Sequence, residues 1–301
     1  MEKKLLAGHL LALLTVSIWG TTFISTKILL HEFYPVEILF FRFILALLVL
    51  TVVLPRKLKI ENKRHELLFM AAGLCGVTMY YLLENIALTL TLAANVGVIS
   101  ALAPLFTAVT AFLFLREERL RLNFFIGFAV AMAGVFFISF RGTADVEIHP
   151  AGDMLALAGT VVWAAYSVLM RIISRFGYPT LLVTRKIFFY GILFMIPALF
   201  FFEFELGLER FLELENIFHL CFLGLGASAL CFATWNHAVK VLGAVKTSAY
   251  IYLVPVITVA ASAVFLGEKI TPLAALGTVL TLGGLLISEG RIFIRSKERG
   301  Q

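Results

Sequence analysis

Long apolar runs separated by short polar segments dominate the pattern of this chain. A helix needs about 20 mainly apolar residues to cross the hydrocarbon core of a bilayer. Because the runs are continuous rather than alternating, the pattern predicts an all-α membrane protein in which each run is a spanning helix. The ten predicted transmembrane helices cover residues 7–30, 35–54, 67–87, 92–115, 122–140, 153–172, 180–202, 217–239, 247–266 and 272–290.

The composition excludes a soluble or disordered chain. Hydrophobic residues make up 61% of the sequence and charged residues 15%, against about 25% charged in ordinary globular domains. Membrane lipids are therefore the expected surroundings. The net charge of +6 does not indicate nucleic acid as a partner, because the basic residues lie between apolar runs and form no nucleic-acid-binding motif.

The distribution of Lys and Arg predicts the orientation. Of the 25 basic residues, 20 lie in alternate connections and in the two termini, and only Arg141, Arg210 and Lys269 lie in the opposite connections. Cytoplasmic loops carry the excess of positive charge, so both termini are predicted to be cytoplasmic in a multi-pass protein of the cell membrane. The outer connection 203–216 alternates Glu with apolar residues, which predicts a short acidic helix at the outer interface.

An internal repeat relates the two halves of the chain. A shift of 144 residues pairs Trp19 with Trp163, and a shift of 151 pairs Pro104 with Pro255. Other pairs in these registers are Lys27 with Arg171, Arg42 with Lys186, Asn85 with Asn236 and Glu117 with Glu268. Five spans per copy is an odd number, so residues 1–145 and 146–301 are predicted to be two inverted-topology repeats. Such repeats are typical of alternating-access transporters, with the substrate site between the halves near the membrane midplane.

The chain resembles the drug/metabolite transporter superfamily, EamA type. The resemblance is carried by Trp19-Gly20, Phe41-Arg42-Phe43, Ala93-Ala94-Asn95 and the stretch from Leu102-Ala103-Pro104 to Glu117, with a weaker echo from Tyr252 to Glu268. It implies secondary transport, often export, of a small metabolite or amino acid across the cytoplasmic membrane. It also implies a central cavity lined by spans one, three, four, six, eight and nine.

Three ionisable residues inside spans are candidates for gating or for an ion pair. Lys27, Arg42 and Glu84 lie in apolar runs, where charge is costly and is usually functional. An Arg42–Glu84 pair with Lys27 nearby would neutralise this charge. The pair is either a structural staple between helices or part of gating or proton coupling, and the sequence leaves both open.

Aromatic, amide and hydroxyl side chains in the implied cavity spans are the candidates for substrate binding. Mid-span Trp residues could stack on an organic substrate or a cation, or simply pack between crossing helices. Amides in spans form inter-helix hydrogen bonds or contact substrate. The candidate residues are Trp19, Tyr81, Asn85, Asn95, Ser100, Trp163, Tyr166, Trp235, Asn236 and Tyr250.

Two symmetry-related prolines predict helix breaks. Pro104 and Pro255 each free the carbonyl four residues earlier, at Ser100 and Ile251. A freed carbonyl is tolerated in a membrane where it faces a cavity or a polar neighbour. The prolines therefore indicate either the substrate site or a kink needed only for packing.

The sequence predicts a secondary transporter, and not an enzyme, that moves a small-molecule substrate by alternating access. The alternative is a membrane-embedded lipid-modifying enzyme, which would need clustered acids or His/Asp pairs at one membrane face. We find no such cluster, no metal-type Cys/His spacing and no Walker loop. No catalytic residue, metal or cofactor is therefore predicted, and the sequence leaves the oligomeric state open.

Overall fold

The computed structural model describes residues 2–60, 62–91, 93–115, 122–139, 150–265 and 271–288, and these ranges are mainly helical. The first five helices are α1 Glu2–Leu29, α2 Pro35–Val53, α3 Lys63–Leu90, α4 in two parts (Ala93–Ser100 and Ala103–Leu115) and α5 Leu122–Ser139. They are followed by α6 Pro150–Ser174, α7 Thr180–Met195 and α8 Leu214–Leu242. The last two helices are α9, which has three parts, and α10 Pro272–Ser288. Helix α9 consists of Ala244–Ser248, a 3-10 turn over Ala249–Tyr252 and a final part, Leu253–Phe265. The short helix Ala198–Phe201 and a 3-10 turn, Leu208–Leu212, lie between α7 and α8.

The predicted class of multi-pass, all-α membrane protein is confirmed. Within the described ranges, eight segments are helices long and apolar enough to cross a membrane. The apolar helices in α5 and α10, Leu122–Ile138 and Pro272–Ser288, are shorter. The count of ten spans therefore stays a prediction. Large apolar side chains such as Val52 and Phe114 face outward with more than two thirds of their surface exposed, as expected for contact with lipid.

The first helix of each predicted repeat packs on helices of the other repeat. Helix α1 lies against α8 and α9, whereas α6 lies against α3 and α4. Trp19 of α1 shows this exchange, since its indole N–H donates to the carbonyl of Ala227 in α8 at 3.0 Å. Six helices thus form two groups, α1 with α8 and α9, and α6 with α3 and α4, and each group contains one helix from the other predicted repeat.

Helices α5 and α10 approach each other through glycines. A Cβ atom added to Gly127 would lie 2.5 Å from the carbonyl oxygen of Gly284, and one added to Gly134 would lie 2.5 Å from that of Gly277. Because the contact partner moves backward in α10 as the chain moves forward in α5, the two helices run antiparallel. Only glycine permits backbones to pack this closely.

Irregular segments interrupt helices that the hydrophobic pattern predicts to be continuous. A π-helical segment lies in α3 at Leu74–Met79, and another lies in α8 at Phe222–Leu230. Helix α4 turns at residues 101–102, and α9 narrows to its 3-10 turn at Ala249–Tyr252. Pro104 is the second residue after the turn in α4, where its missing N–H leaves no helical hydrogen bond unmade. Pro255 lies at the corresponding start of the last part of α9.

The predicted acidic helix over 203–216 is wrong in extent, since only Leu208–Leu212 forms a single 3-10 turn before α8 begins. Arg210 folds the connection onto α2 instead, because it donates to both carboxylate oxygens of Glu37, at 2.8 and 3.1 Å. Nearby, the charges of Glu203 and Glu205 raise the pKa of the Tyr34 hydroxyl above its usual value.

Candidate functional site

A cavity lies between α1, α3, α4, α6 and α9. It has an empty volume of about 550 Å³, including the part that opens to the surroundings. The lining residues occupy the halves of α1, α3 and α4 near Leu29, Leu90 and Ala93, which are the ends that the charge pattern predicts to be outside. The lining residues are Trp19, Thr22, Tyr80, Tyr81, Glu84, Ser100, Ala103, Thr160, Trp163, Ile251 and Val254.

Aromatic rings form one continuous wall of this cavity. The ring centroids of Trp19 and Trp163 are 5.3 Å apart with an edge-to-face arrangement. Tyr80 continues the wall at 4.8 Å from Trp163, and Tyr81 lies 4.8 Å from Tyr80. The rest of the lining adds the hydroxyls of Thr22, Ser100 and Thr160 and the carboxyl of Glu84. The site is therefore amphipathic, as ligand pockets commonly are.

Buried polar contacts lie on the predicted inner side of the cavity. The Tyr166 hydroxyl donates to Asn236 at 2.7 Å, and the amide of Asn236 donates to Thr184 at 2.9 Å. Tyr250 is hydrogen-bonded to His9 at 2.7 Å. The contact between Tyr166 of α6 and Asn236 of α8 joins the two groups of helices, whereas the contact between His9 and Tyr250 joins α1 to α9 within one group.

The structure separates the predicted binding residues into two sets. Trp19, Tyr81, Ser100 and Trp163 line the cavity. Tyr166, Trp235, Asn236 and Tyr250 are buried outside the described lining, and Trp235 packs 5.0 Å from the ring of Trp19. The amide of Asn85 donates to the carbonyl of Pro35 at 3.1 Å and thereby holds the start of α2. The side chain of Asn95 is outside the part of the chain that the structure describes.

The predicted Arg42–Glu84 ion pair is not formed at contact distance among the described side chains. Arg42 is 3% exposed, donates from Nε to the Ser228 hydroxyl at 3.0 Å, and places its guanidinium 4.5 Å from the centre of the Tyr81 ring. Glu84 lies on the cavity wall, and Lys27 is exposed. Tyr81 thus contacts the cation on one side and borders the cavity.

Sequence reasoning missed Thr22 and Thr160. Each hydroxyl lies three residues from a predicted Trp, at 19 and 163, and residues three apart share a helix face. That spacing was the available signal. The Thr160 hydroxyl donates to the carbonyl of Ala156 in its own helix, so its oxygen can still accept a hydrogen bond from a bound molecule. Among the described residues, no group of His, Cys, Asp and Glu side chains could hold a metal ion.

The chain is similar to several known transporters along nearly its whole length. A protein of Archaeoglobus fulgidus named an uncharacterized transporter is 28% identical over 94% of this chain and 97% of its own. A probable terminal-alkyne amino-acid exporter of Streptantibioticus cattleyicolor is 26% identical over 95% of this chain and 94% of its own. A probable amino-acid metabolite efflux pump of Salmonella typhimurium is 25% identical over 92% and 93%.

A solved crystal structure shares the fold. It superposes with a TM-score of 0.78 over 95% of this chain and 98% of its own, at 21% sequence identity. The sequence model of the EamA-like transporter family matches the chain twice, at residues 6–140 and 150–289. The two matches together cover most of the sequence, and the chain belongs to the EamA-like transporter family.

Proposed function

We propose that this protein is a secondary transporter that exports a small organic metabolite or amino acid across the cytoplasmic membrane by alternating access. The observation that carries the proposal is the cavity between α1, α3, α4, α6 and α9, whose lining lies toward the predicted outer ends of α1, α3 and α4 and which has buried polar contacts on its predicted inner side. The names of two relatives, an amino-acid exporter and an amino-acid metabolite efflux pump, support the solute class and the direction.

The packing supports a mechanism with two moving groups. Helices α1, α8 and α9 form the first group, and α3, α4 and α6 form the second. The cavity lies between them, and Ala244–Ser248 of α9 contacts the inner parts of α4 and α6 below it. Tilting one group against the other would open the inner side and close the outer side, as in transporters with inverted repeats.

Antiparallel packing of α5 and α10 supports the inverted arrangement of the repeats. Gly127 faces Gly284 and Gly134 faces Gly277, and a shift of 150 residues relates Gly127 to Gly277 and Gly134 to Gly284. Such reciprocal pairing, in which i meets j and j meets i, is the property of a two-fold axis. In such an arrangement, the two repeats would exchange conformations when the protein changes from the outward-open to the inward-open state.

Flux measurements on reconstituted protein test the proposal. Proteoliposomes loaded with mixtures of radiolabelled amino acids and small metabolites should release at least one solute with saturable kinetics. Trp163→Ala should lower that flux by about tenfold, because it removes a central cavity wall. Phe112→Ala, which changes an aromatic residue that is 55% exposed, is the matched control and should leave the flux unchanged. Absence of saturable flux for every solute would overturn the proposal.

A further inference from the structure

Glu84 gives the cavity an acidic group. The polar side chains beside it in the described lining, Thr22, Ser100 and Thr160, are uncharged hydroxyls, and two further hydroxyls belong to tyrosines. Glu84 is only 9% exposed and is one of the residues that line the cavity. A carboxyl group inside a span is costly in lipid and is retained where it has a partner or a function.

The side chain of the nearby cation Arg42 is engaged with other protein groups. Its Nε–H is used by Ser228, and its guanidinium lies against the Tyr81 ring. Arg42 is absent from the described cavity lining, whereas Glu84 and Tyr81 belong to it. A ligand in the cavity can therefore contact the Glu84 side chain, whereas the Arg42 guanidinium lies outside the described lining.

The aromatic wall adds a second feature that favours cations. The faces of Trp and Tyr rings are electron-rich and attract ammonium groups, most strongly where water is excluded. Trp19, Trp163, Tyr80 and Tyr81 all border the same space as Glu84. The hydroxyls of Thr22, Ser100 and Thr160 can accept the remaining N–H groups of an ammonium. A carboxylate at this position would instead meet the like charge of Glu84.

We propose that the cavity binds the ammonium group of an amine-bearing solute on the Glu84 carboxylate and the surrounding rings. The inference rests on the proposed transport function and specifies its substrate class, which is primary amines in preference to anions. The shared chemistry belongs both to simple organic amines and to amino acids, whose carboxylate would then have to point away from Glu84 toward the cavity mouth.

Binding to purified protein provides the test, with three probes that share one isobutyl group. The probes are 3-methylbutylamine, which is a cation, leucine, which is a zwitterion, and 4-methylpentanoate, which is an anion. All three Trp residues of the chain, at 19, 163 and 235, lie at or just behind the cavity wall. Their fluorescence therefore reports occupation of the site, and none of the probes absorbs at the excitation wavelength.

The wild-type protein should bind the amine at least about tenfold more tightly than the anion, with leucine distinguishing amino acids from simple amines as ligands. Glu84→Gln should weaken amine binding by about tenfold and reduce the difference between the probes. Glu215→Gln is the matched control, because it makes the same change at an exposed position outside the cavity. It should leave all three affinities unchanged.

Two results would overturn the inference. One is wild-type protein that binds the anion as tightly as the amine or binds no amine, and this result holds even if Glu84→Gln does not fold. The other is folded Glu84→Gln protein with unchanged amine affinity. Flux measurements separate this inference from the proposed function. Amine binding without transport of any solute would contradict the proposed function alone. Transport of an anion with no preference for amines would contradict this inference alone.

Discussion

Glu37 carries a carboxylate with no exposed surface at the start of α2. Its oxygens accept hydrogen bonds from the backbone N–H of Tyr34 at 2.8 Å and of Glu205 at 2.6 Å. Arg210 adds two more donors and also reaches the carbonyl of Glu32 at 2.7 Å. The hydrogen bond to Glu37 raises the pKa of the Arg210 guanidinium further above its usual value. This one carboxylate therefore fixes the connection 203–216 to the first half of the chain.

Replacing Arg210 with Met should destabilise the protein by about 1–3 kcal/mol, because the buried Glu37 carboxylate would lose its countercharge and two donors. Unfolding of the purified protein in mixed detergent micelles measures the change. Lys57→Met is the control, since it removes an exposed cation and should have no measurable effect. Equal stability of the Arg210 and Lys57 variants would show that the contact contributes nothing.

At the level of helices, the α5–α10 contact offers a comparison between adjacent glycines. A Cβ atom on Gly284 would lie 2.6 Å from the carbonyl oxygen of Gly127, whereas a Cβ atom on Gly283 meets nothing within 4 Å. Gly284→Ala should therefore push the helices apart and cost about 1–3 kcal/mol of stability. Gly283→Ala should be neutral or stabilising, because Ala favours helix over Gly.

Thermal unfolding of both variants in detergent measures this difference. The neighbouring substitutions share their chemistry and their helix, so the difference isolates the approach of the two backbones. A similar decrease for both variants would mean that substitution at either position disturbs the helix itself and that the glycine contact is not tight.

Hydrophobic runs predicted helix positions well because burial in lipid imposes length and apolarity on each span. The predicted span 35–54 is observed as Pro35–Val53. The π-helical segments could not be predicted, since they depend on tertiary packing at positions such as Gly76, which lies against the Tyr166 ring. The helix predicted over 203–216 was wrong because the prediction used only the amphipathic pattern of this connection. The contact between Arg210 and Glu37, which holds the connection on α2, could not be read from that pattern.

The residues of the cavity were only partly predictable from the sequence, for a physical reason. Mid-span Trp, Tyr and Ser could be recognised as unusual in lipid, and Trp19, Tyr81, Ser100 and Trp163 do line the cavity. Whether such a residue faces the cavity or a neighbouring helix depends on how the helices pack, and this could not be predicted from the sequence. Asn85 and Asn236 therefore satisfied the same sequence criteria but bond to protein groups instead.

At the scale of the whole molecule, few polar contacts join the two groups of helices on the predicted inner side of the cavity. Tyr166 of α6 donates to Asn236 of α8, and Arg171 of α6 donates to the carbonyl of Lys240 at 3.0 Å. Both join the group α3, α4 and α6 to the group α1, α8 and α9. Each hydrogen bond contributes about 1 kcal/mol, so a single change should shift the balance between states measurably.

Tyr166→Phe removes the hydroxyl that bonds to Asn236 but retains the ring, and we expect it to change the equilibrium constant between the proposed outward-open and inward-open states by about fivefold, against the outward-open state. The reporter is Ser100→Cys, on the cavity wall, in a chain whose cysteines at 75, 221 and 231 are replaced by Ala. Its labelling by a membrane-impermeant thiol reagent, added on the side of the connection 203–216, should slow as the outward-open fraction falls, by at most the same factor. Thr51→Val, which removes a hydroxyl bonded only within α2, should leave the rate unchanged. An unaltered rate in the Tyr166 variant would show that this bond does not hold the inner side closed.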